Sequence, residues 1–115
     1  MVIERELLAQ LLAFRKERDW EQFHTPKNLS AGLCIEAAEL LEKFQWAKDT
    51  ELADIVERER EAIEHEIADV AIFLSYLCHD LNISLSDVVR RKLEVNRRKY
   101  PVDKSRGTAK KYDRL

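Results

Sequence analysis

The sequence predicts an all-α fold, and both its composition and its hydrophobic spacing indicate that class. Only two of the 115 residues are glycine, whereas an all-β sandwich or barrel uses glycine at many of its turns. Apolar residues recur at helical spacing in four successive segments. This length suffices for one small core, so we expect a single domain, a four-helix bundle protomer.

The first two predicted helices cover residues 2–18 and 25–47. The apolar stripe of the first helix consists of Ile3, Leu7, Leu11 and Phe14. Thr25 followed by Pro26 is a typical helix start, because the threonine hydroxyl caps backbone amides and proline fits the first turn. The second helix carries its apolar stripe on Leu29, Leu33, Leu40, Leu41 and Phe44.

The third predicted helix has few polar side chains in its second half. A polar break and a charged stretch lead into residues 67–81, which are apolar or small on nearly every side. A helix of this kind must be buried all round. Three other helices would not enclose it in a monomer, so we expect a helical homo-oligomer.

The fourth predicted helix begins at a sequence that resembles a capping box, Ser84-Leu85-Ser86-Asp87. It ends at Pro101, just after Tyr100. The last dozen residues show no apolar period. We therefore expect a domain at residues 1–103 and a basic, flexible tail or lid at residues 104–115.

The charge is unevenly distributed along the chain. Residues 1–89 carry nine Lys/Arg and 19 Asp/Glu, whereas residues 90–115 carry 11 and three. A basic end on an acidic body points to an anionic partner. This leaves open a non-enzymatic helical module that binds nucleic acid through the basic C-terminal region. Nucleic acid is the less favoured partner, because the acidic body would repel a duplex.

The sequence also predicts the cellular compartment. No run of 18 apolar residues is present, so we expect no membrane span. The N-terminal residues are acidic where an export signal is basic and apolar. Cys34 and Cys78 lie in helical runs without metal-type spacing. We therefore expect a cytoplasmic protein with both cysteines as buried, reduced thiols.

Four acidic residues lie at the borders of apolar stripes. Glu36 and Glu39 in the second helix are spaced i, i+3, and so are Glu66 and Asp69 in the third. Unpaired carboxylates against a core are costly, and a divalent cation would compensate them. An all-oxygen ligand set suits Mg²⁺ or Mn²⁺ rather than zinc. The alternative is two ordinary solvated faces, since such spacings also arise by chance among 22 acidic residues.

Two polar residues interrupt the apolar stripe of the fourth helix. Lys92 and Asn96 fall within the stripe that Leu85, Val89 and Leu93 form. One interpretation is a lysine stem that extends from the core edge to water. The other places one cation and one amide beside the acids, where a metal-bound phosphate needs them.

Five segments resemble the MazG-like nucleotide pyrophosphohydrolases, and most closely their dCTP pyrophosphatase-like branch. They follow the family's order between residues 8 and 101, which is most of the chain. The segments are RDWEQFH (18–24), EAAEL (36–40), FQW (44–46), EIADV (66–70) and NRRKYP (96–101).

The resemblance implies a homodimer or homotetramer that cleaves a (deoxy)nucleoside triphosphate to the monophosphate and pyrophosphate. The substrate would be dCTP or a modified cytosine nucleotide, and the cofactor Mg²⁺, with Mn²⁺ as an alternative. By matching positions, the metal ligands are Glu36, Glu39, Glu66 and Asp69. Many MazG-like proteins have a further glutamate where this chain has Ile35, so the general base stays open.

The same match implies the catalytic and substrate contacts. Lys92 and Asn96 would contact phosphates or order the ligands, which places them with Glu36 and Glu39 in the catalytic set. Tyr100 would lie nearby. The nucleoside pocket would be formed by Trp20, His24 and Trp46. For the two tryptophans the alternative is core packing, and for the histidine a polar cap at the helix start.

Overall fold

The computed structural model describes residues 3–115, in which α-helices are joined by turns and short 3₁₀ segments. No β-strand occurs within these residues, which confirms the predicted all-α class. Val2, where the first helix was predicted to start, lies outside the described residues. The helices are α1 (Arg5–Glu17), α2 (Pro26–Glu42), α3 (Leu52–Arg58), α4 (Arg60–Asp80), α5 (Leu85–Lys99) and α6 (Val102–Ser105).

Two helices begin at the capping residues that the sequence predicts. The backbone amide of Asn28 donates to Thr25 Oγ1 at 3.1 Å, and Pro26 occupies the first turn of α2. The amide of Asp87 donates to Ser84 Oγ at 3.5 Å at the start of α5. Each bond satisfies one of the amides that a first helical turn leaves without a partner.

One predicted helix boundary is wrong, and the charged stretch contains a helix that was not predicted. α2 ends at Glu42 rather than near Ala47, because the amides of Lys43 and Phe44 bond to carbonyls three residues back, at 3.2 and 2.9 Å. Such bonds tighten the last turn and end the α-helix. The charged stretch divides at Glu59 (φ −102°, ψ 16°): its first part forms α3, and its second part is continuous with residues 67–81 in α4.

The core lies between α2 and α4, which form the most extensive helix pair of the structure. Gly32 on α2 permits their close approach, because a Cβ at this position would lie 2.8 Å from Cε1 and Cζ of Phe73. Leu29 of α2 and Cys78 of α4 are buried in this core. Helices α1 and α3 also pack against α4, whereas α5 contacts the other helices only sparsely.

The protomer is more open than a monomeric domain of its length. Its radius of gyration is 17.7 Å, whereas compact domains of 115 residues have about 13 Å. Its accessible surface is 9252 Å², against about 6,600 Å² expected for a folded monomer of this size. Apolar side chains on α4 and α5, among them Ile67, Val89 and Leu93, are about half exposed. Both helices thus present uncovered apolar faces. Every helix within residues 3–115 is too short or too polar to cross a lipid bilayer.

The two cysteines are in different environments. Both thiols are free, and Cys78 is buried as predicted. The prediction of a buried thiol is wrong for Cys34, which is exposed. At 100° per residue, Cys34 lies on the side of α2 opposite Gly32, where Leu41 is also exposed.

The C-terminal segment, residues 104–115, contacts the end of α5. The ring of Tyr112 meets the ring of Tyr100 edge-on at a centroid distance of 6.2 Å. Lys99 Nζ lies 4.6 Å from the centroid of the Tyr112 ring. The predicted division after residue 103, and the role of this segment as a lid, stay predictions.

Candidate metal centre and adjoining aromatic pocket

Three carboxylates from two helices come together between α2 and α4. One oxygen from each of Glu36, Glu39 and Glu66 lies within 4.8 Å of the other two. The i, i+3 spacing puts the two α2 carboxylates one turn apart on the side that faces α4. The close approach at Gly32 then brings α4 within reach. The structure thus places three of the four predicted metal ligands in one cluster, which we call the acidic cluster.

Asp69, the fourth predicted ligand, lies one turn after Glu66 on α4. It is outside the group whose oxygens lie within 4.8 Å of one another. Its charge is nevertheless one of the causes that raise the pKa of Glu36. Asp69 also lines an adjoining cavity. It therefore connects the acidic cluster to that cavity.

The acidic cluster contains more negative charge than its surroundings neutralise. Oε2 of Glu36 and Oε2 of Glu66 are buried and have no hydrogen-bond partner in the described part of the chain. A hydrogen bond with Glu66, followed by burial and by the neighbouring Glu39, raises the pKa of Glu36 to about 7. Carboxylates in such a setting are costly unless a proton or a cation compensates them.

The donor set of the acidic cluster fits a hard divalent cation. Among residues 3–115, the cluster consists of carboxylates without histidine or cysteine. Mg²⁺ and Mn²⁺ prefer oxygen ligands, whereas zinc favours nitrogen and sulfur. The two buried oxygens without partners provide the free ligand atoms that such an ion needs.

A cavity of about 300 Å³ lies beside the acidic cluster, between α1, α4 and the loop that follows α1. Its walls are mainly apolar and aromatic, and Asp69 is its only carboxylate among the described residues. We call it the aromatic pocket. Its lining includes Leu11, Phe14, Trp20, His24, Phe73 and Tyr76.

Four rings form a continuous row in the wall of the aromatic pocket. Phe14 and Trp20 meet edge-on, with centroids 5.6 Å apart. Trp20 lies 6.4 Å from the ring of His24, which in turn lies 5.1 Å from the ring of Tyr76. Edge-on and tilted contacts are the favourable arrangements between such rings. An apolar cavity with a few polar groups at its edge suits a flat organic ligand.

An ion pair between the buried Arg15 and the partly exposed Asp80 supports this wall. Arg15 is only 5% exposed, and its guanidinium donates to Asp80 Oδ2 and Oδ1 at 2.9 and 2.5 Å. The Arg15 guanidinium also lies 4.6 Å from the centroid of the Tyr76 ring. The hydroxyl of Tyr76 donates to the backbone carbonyl of Leu11 at 2.7 Å. These contacts join α1 to the C-terminal half of α4.

The ion pair and the burial of the site shift the pKa values of its neighbours. The hydrogen bonds from Arg15 hold the pKa of Asp80 below its usual value, although burial opposes this. Burial, and then the Arg15 charge, lower the pKa of His24, while Asp80 acts in the opposite direction. The imidazole is therefore held in its neutral form.

The sequence interpretation missed this ion pair, although a signal was available. Arg15 follows Leu11 by four residues, and Asp80 follows Tyr76 by four residues. Each charge thus continues an apolar stripe of its helix. Lys92 on α5 is likewise a charged residue within an apolar stripe.

Several predicted substrate contacts do not line the aromatic pocket of this chain. Trp46, in the turns after α2, is 87% exposed. Lys92 and Asn96 belong to α5, and Tyr100 follows its last turn. This helix contacts the others only sparsely. The assignment of these four residues to phosphate and nucleoside binding stays a prediction.

The fold and the site define a class, namely all-α proteins with a carboxylate cluster beside an aromatic pocket. Residues 32–115 match the sequence model of the MazG-like family, and the chain belongs to this family. The resemblance seen in the sequence is thereby confirmed.

Three similar proteins come from curated sequences and from solved structures. The chain is 45% identical over 104 residues to dCTP pyrophosphatase 1 of Mus musculus, which is 89% of this chain and 61% of that protein. It is 42% identical over 104 residues to dCTP pyrophosphatase 1 of Homo sapiens, with the same coverage. The chain thus spans about three fifths of the length of these relatives. It is 48% identical to a pyrophosphatase from Archaeoglobus fulgidus of known structure, with a TM-score of 0.80, over 84% of this chain and 90% of that one.

Proposed function

We propose that this protein is a Mg²⁺-dependent nucleoside triphosphate pyrophosphohydrolase that releases a nucleoside monophosphate and pyrophosphate. The observation that carries this proposal is the position of Asp69, which lines the aromatic pocket and acts on the pKa of Glu36 in the acidic cluster. An aromatic pocket beside a cation site suits a ligand with a flat base at one end and phosphates at the other. The relatives named dCTP pyrophosphatase 1 favour dCTP or a modified cytosine nucleotide.

In this proposal Glu36, Glu39 and Glu66 hold the metal, and Asp69 completes the ligand set from its position one turn further along α4. When bound, Mg²⁺ or Mn²⁺ supplies Lewis-acid stabilisation of phosphoryl oxygens and lowers the pKa of a coordinated water. The carboxylates fix the site between two packed helices, and the aromatic wall excludes water from the base. Lys92 and Asn96 are the proposed phosphate contacts.

The proposal includes a homodimer or homotetramer. Apolar side chains on α4 and α5 are half exposed, and the accessible surface exceeds that of a folded monomer by roughly 40%. A second copy that covers these faces would remove the excess, since closed symmetric oligomers are the usual solution. Light scattering coupled to size exclusion is expected to give twice or four times the protomer mass.

A cytoplasmic location is also proposed. Both cysteines are free, and the Cys34 thiol is exposed. Exposed unpaired thiols are compatible with a compartment in which glutathione keeps them reduced.

The test of the proposed activity is a pyrophosphate assay with a panel of deoxynucleoside triphosphates. We expect release with dCTP or a modified cytosine nucleotide in the presence of Mg²⁺, and none after chelation by EDTA. Glu39→Gln is expected to abolish activity, because it removes a proposed metal ligand, while it leaves the helical circular dichroism unchanged. The matched control is Glu42→Gln, which changes an exposed glutamate on the same helix and is expected to retain activity.

Absence of pyrophosphate with every nucleotide, even at high enzyme concentration, would contradict the proposal. A gel shift at low salt provides the complementary measurement. Affinity for DNA or RNA that falls steeply with salt, without hydrolysis, would favour the nucleic-acid-binding alternative instead.

A further inference from the structure

The ion pair of Arg15 and Asp80 takes no part in the proposed metal chemistry, yet it reaches the wall of the aromatic pocket. Two hydrogen bonds of 2.9 and 2.5 Å hold the guanidinium against Asp80. The ring of Tyr76, 4.6 Å away, covers it. Arg15 is therefore fixed in orientation, with 5% of its surface exposed.

A further contact of this fixed guanidinium reaches the ring of His24. Nη1 of Arg15 lies within hydrogen-bond distance of Nδ1 of His24, at 3.4 Å. A guanidinium has N–H donors and no acceptor, so Arg15 must donate and Nδ1 must accept. A neutral imidazole whose Nδ1 accepts carries its proton on Nε2.

We propose that Arg15 and Asp80 are positioning residues that hold His24 as the Nε2–H tautomer, so that this nitrogen offers a hydrogen-bond donor to an acceptor atom of the base in the aromatic pocket. The inference rests on the proposed function, because it takes the base of a nucleotide as the occupant of the pocket. Cytosine offers its ring nitrogen N3 and its carbonyl oxygen O2 as acceptors.

This arrangement preorganises the His24 imidazole for binding of the base. An isolated imidazole exchanges between two tautomers, and only one of them offers a donor at Nε2. Fixing the tautomer before the ligand arrives avoids that cost at the moment of binding. A purely structural ion pair would tie α1 to α4 equally well, but it would leave the tautomer of His24 and the affinity for the base unaffected.

The first test is the tautomer itself, measured by long-range ¹H–¹⁵N correlation on protein labelled at its three histidines. His24→Gln assigns the His24 signals by their loss. In the wild-type protein at neutral pH we expect an unprotonated Nδ1 and a protonated Nε2 for His24. An Nδ1–H tautomer or an equal mixture in the wild-type protein would overturn the proposal, and this measurement needs no variant that might unfold.

The second test removes the donor. Arg15→Met combined with Asp80→Asn deletes the guanidinium without leaving the Asp80 carboxylate unpaired. We expect a mixture of His24 tautomers in this double variant. The matched control is Arg58→Met combined with Asp54→Asn, which removes an exposed ion pair of 2.7 Å on α3 and is expected to leave the His24 signals unchanged.

The third test is affinity for dCMP, measured by calorimetry, which does not depend on turnover. We expect binding about twofold weaker in the Arg15/Asp80 double variant, because an equal mixture of tautomers halves the fraction of protein that offers the Nε2 donor, and unchanged binding in the Arg58/Asp54 control. With dCTP, KM should rise while kcat stays within about twofold. Arg15→Lys, which retains a donor, should restore part of the affinity.

Two results separate this inference from the proposed function. If the wild-type protein binds dCMP and shows the Nε2–H tautomer but hydrolyses no triphosphate, the proposed reaction fails and the positioning role stands. If hydrolysis occurs but the double variant binds dCMP as tightly as the wild-type protein, the positioning role fails and the proposed function stands.

Discussion

Two groups of charged side chains lie beside the same aromatic pocket, and they are compensated in opposite ways. In the Arg15–Asp80 pair a guanidinium neutralises the carboxylate with two hydrogen bonds. In the acidic cluster, Glu36 and Glu66 each keep a buried oxygen without a partner, and the pKa of Glu36 rises to about 7. We infer that the Arg15–Asp80 pair, in which two side chains of the protein neutralise each other, serves to position and stabilise its neighbours. The unneutralised carboxylates of the acidic cluster instead indicate a binding site for a cation.

The largest expected effect comes from removing Arg15 alone from the Arg15–Asp80 pair. Arg15→Met alone leaves the Asp80 carboxylate, with 24% of its side chain exposed, without its partner. We expect a loss of about 2 kcal/mol in the free energy of unfolding, because two hydrogen bonds to a charged group are lost and water only partly replaces them. Urea denaturation followed by circular dichroism measures this loss.

The control for this prediction is the double variant with Asp80→Asn, which should be more stable than Arg15→Met alone. If the single and double variants were equally stable, the charge of Asp80 would not be the cause. In that case the pair would contribute mainly through packing against Tyr76.

The second prediction concerns the acidic cluster. A cation that binds the folded acidic cluster stabilises the protein by about 1.4 kcal/mol when its concentration is ten times its Kd. We expect Mg²⁺ to raise the melting temperature of the wild-type protein, and Glu66→Gln to abolish most of that rise. The Arg15/Asp80 double variant should keep it, because this pair is already neutralised. An equal rise in the Glu66→Gln variant would show that Mg²⁺ acts elsewhere.

The third prediction tests what brings the two helices of the acidic cluster together. Gly32→Ala would place a Cβ 2.8 Å from two ring carbons of Phe73. Overpacking of this kind costs about 1–3 kcal/mol, and the higher helix propensity of alanine returns up to about 1 kcal/mol. We therefore expect a net loss of about 1 kcal/mol, measured by urea denaturation. Phe73→Leu in the same chain should relieve part of it, and a more stable Gly32→Ala variant would contradict the close approach.

The two groups also differ in how far the sequence predicts them. The carboxylates within one helix follow from i, i+3 spacing, because helical geometry alone puts Glu36 and Glu39 one turn apart. Whether Glu66 joins them depends on how α2 and α4 pair, and the size of residue 32 decides that. The contact of Arg15 with Asp80 joins residues 65 positions apart. Helical periodicity shows that each charge continues an apolar stripe, but it does not show that the two side chains meet.

Helix starts and aromatic residues also show that contacts within a helix can be predicted from the sequence, whereas contacts between helices cannot. The start of α2 was predictable because Thr25 caps its own helix. Trp20 and Trp46 look alike in the sequence, yet Trp20 lines the aromatic pocket and Trp46 is 87% exposed. Exposure of a side chain at a helix end depends on tertiary packing. Because apolar faces of this protomer are uncovered, the exposure of a tryptophan also depends on whether a second copy of the chain packs against it.

The smallest expected effect is the pH dependence that His24 contributes to stability. Burial and the charge of Arg15 lower the pKa of His24 below 6.5, and Asp80 only partly opposes them. The unfolded chain therefore binds a proton more readily than the folded one, so the free energy of unfolding rises with pH in this range. The contribution of His24 is complete above about pH 6.5, and it is lost as the pH falls through the lowered pKa.

Urea denaturation of the metal-free protein at a series of pH values between 5 and 8 measures this slope. His24→Gln should flatten it, whereas His65→Gln, which changes an exposed histidine on α4, should leave the His24 part of the slope in place. Arg15→Met combined with Asp80→Asn removes the charge that lowers the His24 pKa together with the one that raises it. Burial then remains as the main cause, so a slope of the wild-type sign should persist in that variant. If the slope instead vanished, the lowered pKa of His24 would come from the guanidinium, and the compensated pair would control the protonation of His24 as well as its tautomer.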